Sequence, residues 1–134
     1  MSTTNTSAWG PFYNGNSSVD GYGFFKLDSS RYGMLHGGVG FPQFGPMSGV
    51  GQYHIQTATM SSGVERYFVD GQQSGAAVAT SAYTPTRSTL VGANDRGAPF
   101  QGSIAEVIVY DRALSDTEVA SVTSYLQSKY GITG

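Results

Sequence analysis

The chain has 134 residues, a formal net charge of −2 and no cysteine, and only 12% of its residues are charged. This length favours a single domain. The weak charge excludes a basic footprint for nucleic acid, and the lack of cysteine excludes disulfides and thiolate chemistry. No apolar run approaches the roughly 20 residues that a membrane helix needs, so membrane insertion is not expected.

The N-terminal third of the chain predicts an arm, a turn and three short strands. Residues 1–8 are rich in Ser, Thr and Asn and are expected to form a flexible arm that precedes one domain over residues 9–134. Asn14-Gly15 is a strong turn signal within an aromatic segment. Strands are predicted for residues 21–27, 31–36 and 39–44.

The middle of the chain predicts a hairpin between two longer strands. Residues 52–60 alternate as a half-buried strand does. Asp70-Gly71 is a favoured type I′ turn, because both central positions of that turn need a positive φ. Further strands are predicted for residues 64–69, 88–92 and 100–110, with loops at 80–87 and 93–99.

The C-terminal segment predicts one amphipathic helix. Ser115 and Glu118 have the spacing of a capping box, in which each side chain bonds to the other residue's backbone N–H. Val119, Val122 and Leu126 lie on one helical face. Gly131 stands where a left-handed C-cap glycine ends a helix. About eight strands and one short helix, without an internal repeat, predict an all-β antiparallel two-sheet sandwich.

Several motifs carry a family resemblance. The run GSIAEVIVYDRALSDTE, residues 102–118, resembles the C-terminal signature of laminin G-like, or concanavalin A-like, jelly-roll domains. GQYHIQTAT, ERYFVDGQQSG and STLVGANDRGAPFQGSIAEV are similar to further family motifs and occur in the family order. The resemblance is weak before Gly51. It implies that residues 9–134 form one jelly roll whose N-terminal part is shortened relative to the family.

A shortened sandwich has consequences for partners and location. It exposes a sheet edge that can pair with another chain, so we expect a homo-oligomer or a protein docked on a larger assembly. The start MSTTNTSAWGPF lacks the basic and apolar regions of a secretory signal. We therefore expect either a phage structural protein at the virion surface, released by lysis, or an extracellular domain cut from a longer secreted protein.

The carboxylates do not predict an enzyme. Glucanases of this family need two carboxylates about 5–9.5 Å apart, which the resemblance places in an E-x-D-x-E pattern. The chain has only Glu65, Glu106 and Glu118, and none lies in such a pattern. Glu118 is explained by the capping box. Glu106 is expected to bond to Arg112 or to the backbone.

The two histidines do not predict catalysis or zinc binding. Neither His36 nor His54 lies near a G-x-S-x-G elbow, and the chain has no zinc-ligand spacing. We expect His54 to be a hydrogen-bonded histidine of a sheet. Relatives bind calcium through loop oxygens, so Asn94 and Asp95, with Asp20 or Asp28, are calcium candidates; the alternative that these residues only form turns stays open.

Glycan recognition is the remaining function to consider. It needs an exposed aromatic ring beside planar polar groups. The candidates for such a rim are Tyr83, Asn94, Asp95, Arg96, Trp9 and Tyr13. The sequence thus predicts a non-catalytic surface or adhesion module, of the virion decoration or tail-fibre type, that binds glycans. The alternatives are a carbohydrate-binding domain of a secreted protein and a glycoside hydrolase, which the carboxylates disfavour.

Overall fold

The computed structural model describes residues 2–3, 10–15, 21–26, 31–36, 40–46, 51–80, 85, 87–93 and 99–133. Within these ranges lie eleven strands and one helix. The elements are β1 (Ser2–Thr3), β2 (Phe12–Tyr13), β3 (Tyr22–Lys26), β4 (Arg31–His36), β5 (Gly40–Pro46), β6 (Gln56–Ser61), β7 (Val64–Val69), β8 (Gln72–Gln73), β9 (Val78–Ala79), β10 (Leu90–Val91), β11 (Gly102–Ser103) and α1 (Asp116–Tyr130).

The strands form two antiparallel sheets. One sheet has the order β10-β2-β3-β4-β5, and the other contains β6-β7-β8, with β9 also paired to β7. β1 forms a separate antiparallel pair with β11. The predicted all-β sandwich with one C-terminal helix is confirmed. No helix in the part of the chain that the structure describes is long and apolar enough to cross a membrane.

The core between the sheets follows from strand alternation. Successive side chains of a strand point to opposite faces, so Tyr67 and Val69 of β7 share one face. They pack against Tyr32 and Met34 of β4 in a buried cluster. Tyr32 and Tyr67 have no exposed surface, so the two rings join β4 to β7 at the centre of the sandwich.

The hairpin and the helix are confirmed as the sequence predicts them. Asp70 and Gly71 both have positive φ, 51° and 86°, as a type I′ turn requires. Ser115 and Glu118 form both bonds of the capping box, and Gly131 is left-handed with φ 63°. The helix buries Val119 against Phe68 and Leu114, with Val122 beside them, so α1 covers the outer face of β7.

The prediction of a last strand over residues 100–110 is wrong for most of its length. Only Gly102–Ser103 belongs to a strand, and residues 104–110 are outside every ladder in the described ranges. The side chain of Val109 is 75% exposed. A hydrophobic run rich in β-branched residues indicates a preference for an extended chain, whereas a ladder also needs a neighbouring strand at hydrogen-bonding distance.

β6 also begins later than predicted, at Gln56. The residue before it, Ile55, bonds to the turn residue Asp70 instead of to a strand. Asp70 Oδ1 accepts a hydrogen bond from the Ile55 backbone N–H at 2.8 Å, and the Asp70 N–H donates to the Ile55 carbonyl at 2.8 Å. In the N-terminal part, the strand Phe12–Tyr13 was missed by the sequence analysis. It pairs with both β3 and β10.

Candidate functional site

A histidine–glutamate pair lies between the two sheets. His36 Nδ1 of β4 is 2.7 Å from Glu65 Oε2 of β7, and neither side chain has any exposed surface. The Tyr22 ring packs edge-on against the His36 ring, with centroids 5.0 Å apart. Because buried polar groups are costly unless they are paired, these contacts assign His36 and Glu65 to the architecture of the core.

A second histidine–carboxylate pair holds the end of the hairpin. His54 Nδ1 is 2.7 Å from Asp70 Oδ2, and the His54 ring lies against the Tyr32 ring at 5.4 Å. Burial raises the pKa of Asp70, but the hydrogen bonds from His54 and the Ile55 amide outweigh it and hold the pKa below its ordinary value. His54 is therefore hydrogen-bonded as predicted, although it lies just before β6 and not within a strand.

This pair gives a pH-dependent prediction. We expect Asp70→Asn to lower the free energy of unfolding by about 1.5–3 kcal/mol at neutral pH, because a hydrogen bond to a charged group is lost. A carboxyl group with a lowered folded pKa stabilises the protein above the ordinary value of 3.8, and this contribution disappears as the pH falls through the folded pKa. Urea unfolding of both proteins should thus show the difference shrinking below about pH 4. A difference that stays constant down to about pH 2 would contradict the assignment.

The two remaining glutamates form hydrogen bonds at the two ends of the helix. Glu106 Oε2 accepts hydrogen bonds from Lys129 Nζ at 3.1 Å and from Tyr130 Oη at 3.0 Å. The Lys129 hydrogen bond, followed by that from Tyr130, lowers the pKa of Glu106. The expected contact of Glu106 with Arg112 is wrong, because Arg112 lies at the start of the helix and pairs with Glu118 at 2.7 Å. The end of the helix, which returns alongside residue 106, supplies the partners instead.

The glutamates therefore do not form the carboxylate arrangement of a glycosidase. Hydrolysis needs two carboxylates at an accessible bond. Glu65 is fully buried, and the other two make the contacts that hold the helix. The hydrogen bonds from Arg112 and Ser115 lower the pKa of Glu118 to about 2, so its carboxylate stays charged within the capping box.

The calcium candidates fall outside the described residues. The structure does not describe any of the four candidates, Asn94, Asp95, Asp20 and Asp28. Within the described ranges, no group of three or more His, Asp or Glu side chains could hold a metal ion. Calcium binding by the 93–99 loop stays a prediction.

The predicted glycan rim is only partly described. Tyr83, Asn94, Asp95, Arg96 and Trp9 lie outside the described residues. The prediction that Tyr13 offers an exposed ring is wrong. The residue is completely buried in a cluster with Phe25 and Leu35 on the outer face of the five-stranded sheet, because the pairing of β2 with β3 directs it there.

A small surface hollow is lined by residues that are close in sequence to part of this predicted rim. It has a volume of about 210 Å³ and is lined by Gly15, Arg87, Ser88 and Leu90. Leu90 pairs with Tyr13 across β10 and β2, so the hollow forms at the edge of the five-stranded sheet. Arg87 was not among the predicted site residues; the only signal for it was a cation at the end of a Ser/Thr/Pro-rich loop that contains an aromatic residue.

The turn that forms one wall of the hollow is well fixed. Asn14 Oδ1 accepts a hydrogen bond from the Tyr22 backbone N–H at 2.7 Å, and the Asn14 N–H donates to the Tyr22 carbonyl at 3.0 Å. Arg87, Ser88 and Leu90 are all exposed. The hollow thus places a guanidinium and a hydroxyl group against a rigid backbone wall.

A larger cavity of about 450 Å³ lies at the free edge of β6. Residues 57–60 all line it. Since neighbouring residues of a strand point to opposite faces, a cavity that touches both faces must lie at the strand's edge. Phe12, Phe24 and Met34 line it from the five-stranded sheet, and residues from Ile104 to Leu114 form the opposite wall together with α1.

Comparison with known families identifies the superfamily to which the chain belongs. The sequence profile of a laminin G-type family, described as the concanavalin A-like lectin/glucanases superfamily, matches residues 1–120. The chain belongs to this superfamily. The match includes the part before Gly51, where the motifs alone gave a weak resemblance. Membership in a superfamily of lectins and glucanases fits a carbohydrate-binding module. Whether the superfamily's N-terminal part is shortened in this chain stays a prediction.

One solved structure is similar over most of the chain. It is a crystal structure of an S-layer domain-containing protein, residues 221–444, from Clostridium thermocellum, with 16% sequence identity and a TM-score of 0.48. The similarity covers 92% of this chain and 66% of that chain, so this chain spans slightly less than two thirds of its length. None of the curated proteins matches the chain in sequence.

Proposed function

We propose that the protein is a non-catalytic surface module that binds glycans. The observation that carries the proposal is the position of the three glutamates in a member of a lectin and glucanase superfamily. Glu65 is buried against His36, and Glu118 and Glu106 form ion pairs at the two ends of the helix. The chain therefore has the fold of a superfamily of lectins and glucanases, whereas its three glutamates make contacts that stabilise that fold. This combination supports binding of a sugar without its hydrolysis.

We place the glycan site at the hollow of Gly15, Arg87, Ser88 and Leu90. Arg87 presents planar, fixed donors, and Ser88 adds a hydroxyl group that can donate and accept. The hollow is smaller than the roughly 300–1,000 Å³ of sites for drug-sized ligands, which fits a single terminal sugar ring. Tyr83 and the tip formed by Asn94, Asp95 and Arg96 remain the proposed source of the stacking ring and of further polar contacts.

A glycan array followed by calorimetry of the best ligand tests this site. We expect Arg87→Ala to weaken binding about tenfold or more, because a hydrogen bond from a charged group contributes about 1.5–3 kcal/mol. The matched control is Tyr125→Ala, which removes an exposed ring on the helix and should leave the affinity unchanged. If Tyr125→Ala lost binding and Arg87→Ala did not, the glycan site would lie on the helix and not at the hollow. Release of sugar from the ligand would contradict a non-catalytic role.

The location and the calcium ion are separate parts of the proposal. We propose that the protein works at an extracellular or virion surface. A chain with only 12% charged residues and the expected exposed sheet edge, which can pair with another chain, would suit a decoration or fibre protein. A calcium ion held by Asn94 and Asp95 would order the neighbouring loop. In that case EDTA should weaken glycan binding and added calcium should restore it, whereas equal affinity under both conditions would exclude the ion from the site.

A further inference from the structure

Residues 104–110 form an apolar edge that no described strand covers. Val107, Ile108, Val109 and Tyr110 are 44%, 39%, 75% and 46% exposed. Among the residues that the structure describes, no backbone hydrogen bond joins this segment to a neighbouring strand. Backbone N–H and C=O groups need partners, and an exposed apolar strand edge is a template for pairing with another chain.

The charge of the edge allows it to pair with a second copy of itself without repulsion. Glu106 is its only charged residue, and Lys129 and Tyr130 of the same chain bind that carboxylate. Residues 107–110 carry no charge. A twofold antiparallel pairing sets a segment against its own copy, where like charges directly opposite each other are destabilising. A pair centred on residues 107 and 108 sets Glu106 against an apolar residue and meets no such repulsion.

We propose that residues 104–110 are a self-association edge, and that its partner is the same segment of a second copy of this chain. The two segments pair antiparallel and join the molecules through backbone hydrogen bonds and the four exposed apolar side chains. These side chains cover less than the roughly 800 Å² per partner of a standard stable interface. The dimer is accordingly weak, with a dissociation constant of about 10 µM to 1 mM.

This inference goes beyond the proposed glycan binding and does not depend on it. It also differs from closure within one molecule, in which the segment would move across the 450 Å³ cavity and pair with the free edge of β6. Intramolecular closure satisfies the same backbone groups without a partner, so it is the outcome that the experiment must separate from dimerisation.

Sedimentation equilibrium of the full chain from about 10 µM to about 1 mM tests the proposal. The wild-type mass should rise with concentration towards that of a dimer. Val109→Glu should stay monomeric, because the proposed register sets residue 109 opposite Glu106 of the other copy, and like charges directly opposite each other destabilise a strand pair. Val109 is largely exposed, so the variant should keep the wild-type melting temperature and glycan affinity. The matched control Ser124→Glu adds the same charge on the exposed side of α1 and should associate as the wild type does.

Two results would overturn the proposal. One is a wild-type protein that stays monomeric at about 1 mM; amide protection of residues 104–110 in that monomer would then identify intramolecular closure. The other is a Val109→Glu variant that associates as strongly as the wild type, which would place the interface elsewhere. Neither result bears on glycan affinity, which is measured separately on the Arg87→Ala variant.

Discussion

His36→Ala is expected to lower the free energy of unfolding by about 3–5 kcal/mol, the cost of removing one partner of a buried ion pair or its hydrogen-bonded equivalent. The imidazole is 2.7 Å from the Glu65 carboxylate, and both side chains are inaccessible to water. Truncation leaves that carboxylate in the core beside a new cavity. Urea or guanidinium unfolding at neutral pH measures the loss.

The double variant His36→Leu with Glu65→Met separates pairing from packing. It removes both polar groups and refills most of the volume, and such replacements of buried pairs are often close to neutral. We therefore expect the double variant to be more stable than His36→Ala, with a coupling of at least about 1 kcal/mol between the two positions. Additive losses would mean that the histidine contributes by its volume alone.

The same pair has a functional consequence. In a superfamily that includes glucanases, a histidine paired with a glutamate could be interpreted as a catalytic dyad. Its complete burial between β4 and β7 instead gives it the role of joining the two sheets. The second pair, His54 with Asp70, holds the turn at the end of β7. Both histidines and their carboxylates thus position the frame on which the loops are carried.

Local structure was predictable from the sequence wherever the determining contacts were local. The capping box of Ser115 and Glu118, the left-handed Gly131 and the Asp70-Gly71 turn all depend on residues within a few positions of each other, and all are confirmed. β4 and β7 have the predicted bounds, because glycine or turn signals delimit their alternating patterns at both ends.

Features that depend on distant residues were not predictable. The His36–Glu65 pair joins residues 29 positions apart, and only the stacking of two sheets brings them together. Glu106 was expected to bond to Arg112 or to the backbone, whereas the returning helix supplies Lys129 and Tyr130. The buried position of Tyr13 likewise depends on the strand pairing of β2, which a two-residue strand does not reveal in its pattern.

The candidate glycan site also combines features that were predictable from local sequence with features that depend on distant residues. The sequence predicted a binding rim from aromatic and polar residues of the 80–87 and 93–99 loops. Two residues that line the hollow, Arg87 and Ser88, end and follow the first of these loops in the sequence. Arg87 becomes a candidate site residue only because the fold brings it to the same hollow as Gly15, which lies 72 residues earlier in the sequence.

Gly21→Ala is expected to destabilise the protein by about 2–5 kcal/mol, the sum of a positive φ for a residue with a side chain and a steric clash in a packed site. Gly21 has φ 80°. A Cβ there would lie 2.7 Å from the Asn14 carbonyl oxygen and 2.8 Å from the Gly15 nitrogen. These are backbone atoms, so no side-chain rotation relieves the contact.

Gly51→Ala is the matched control, because Gly51 has a similar φ of 89° but no atom within 4 Å of a Cβ at that position. It should lose only the conformational part, about 1–2 kcal/mol, and the difference between the two variants measures the steric part. Because the clash moves Gly15, which lines the hollow, Gly21→Ala should also weaken glycan binding in protein that remains folded. Equal losses of stability in the two variants would mean that the Asn14-Gly15 turn yields freely, and that the hollow lacks the rigid wall on which its proposed role depends.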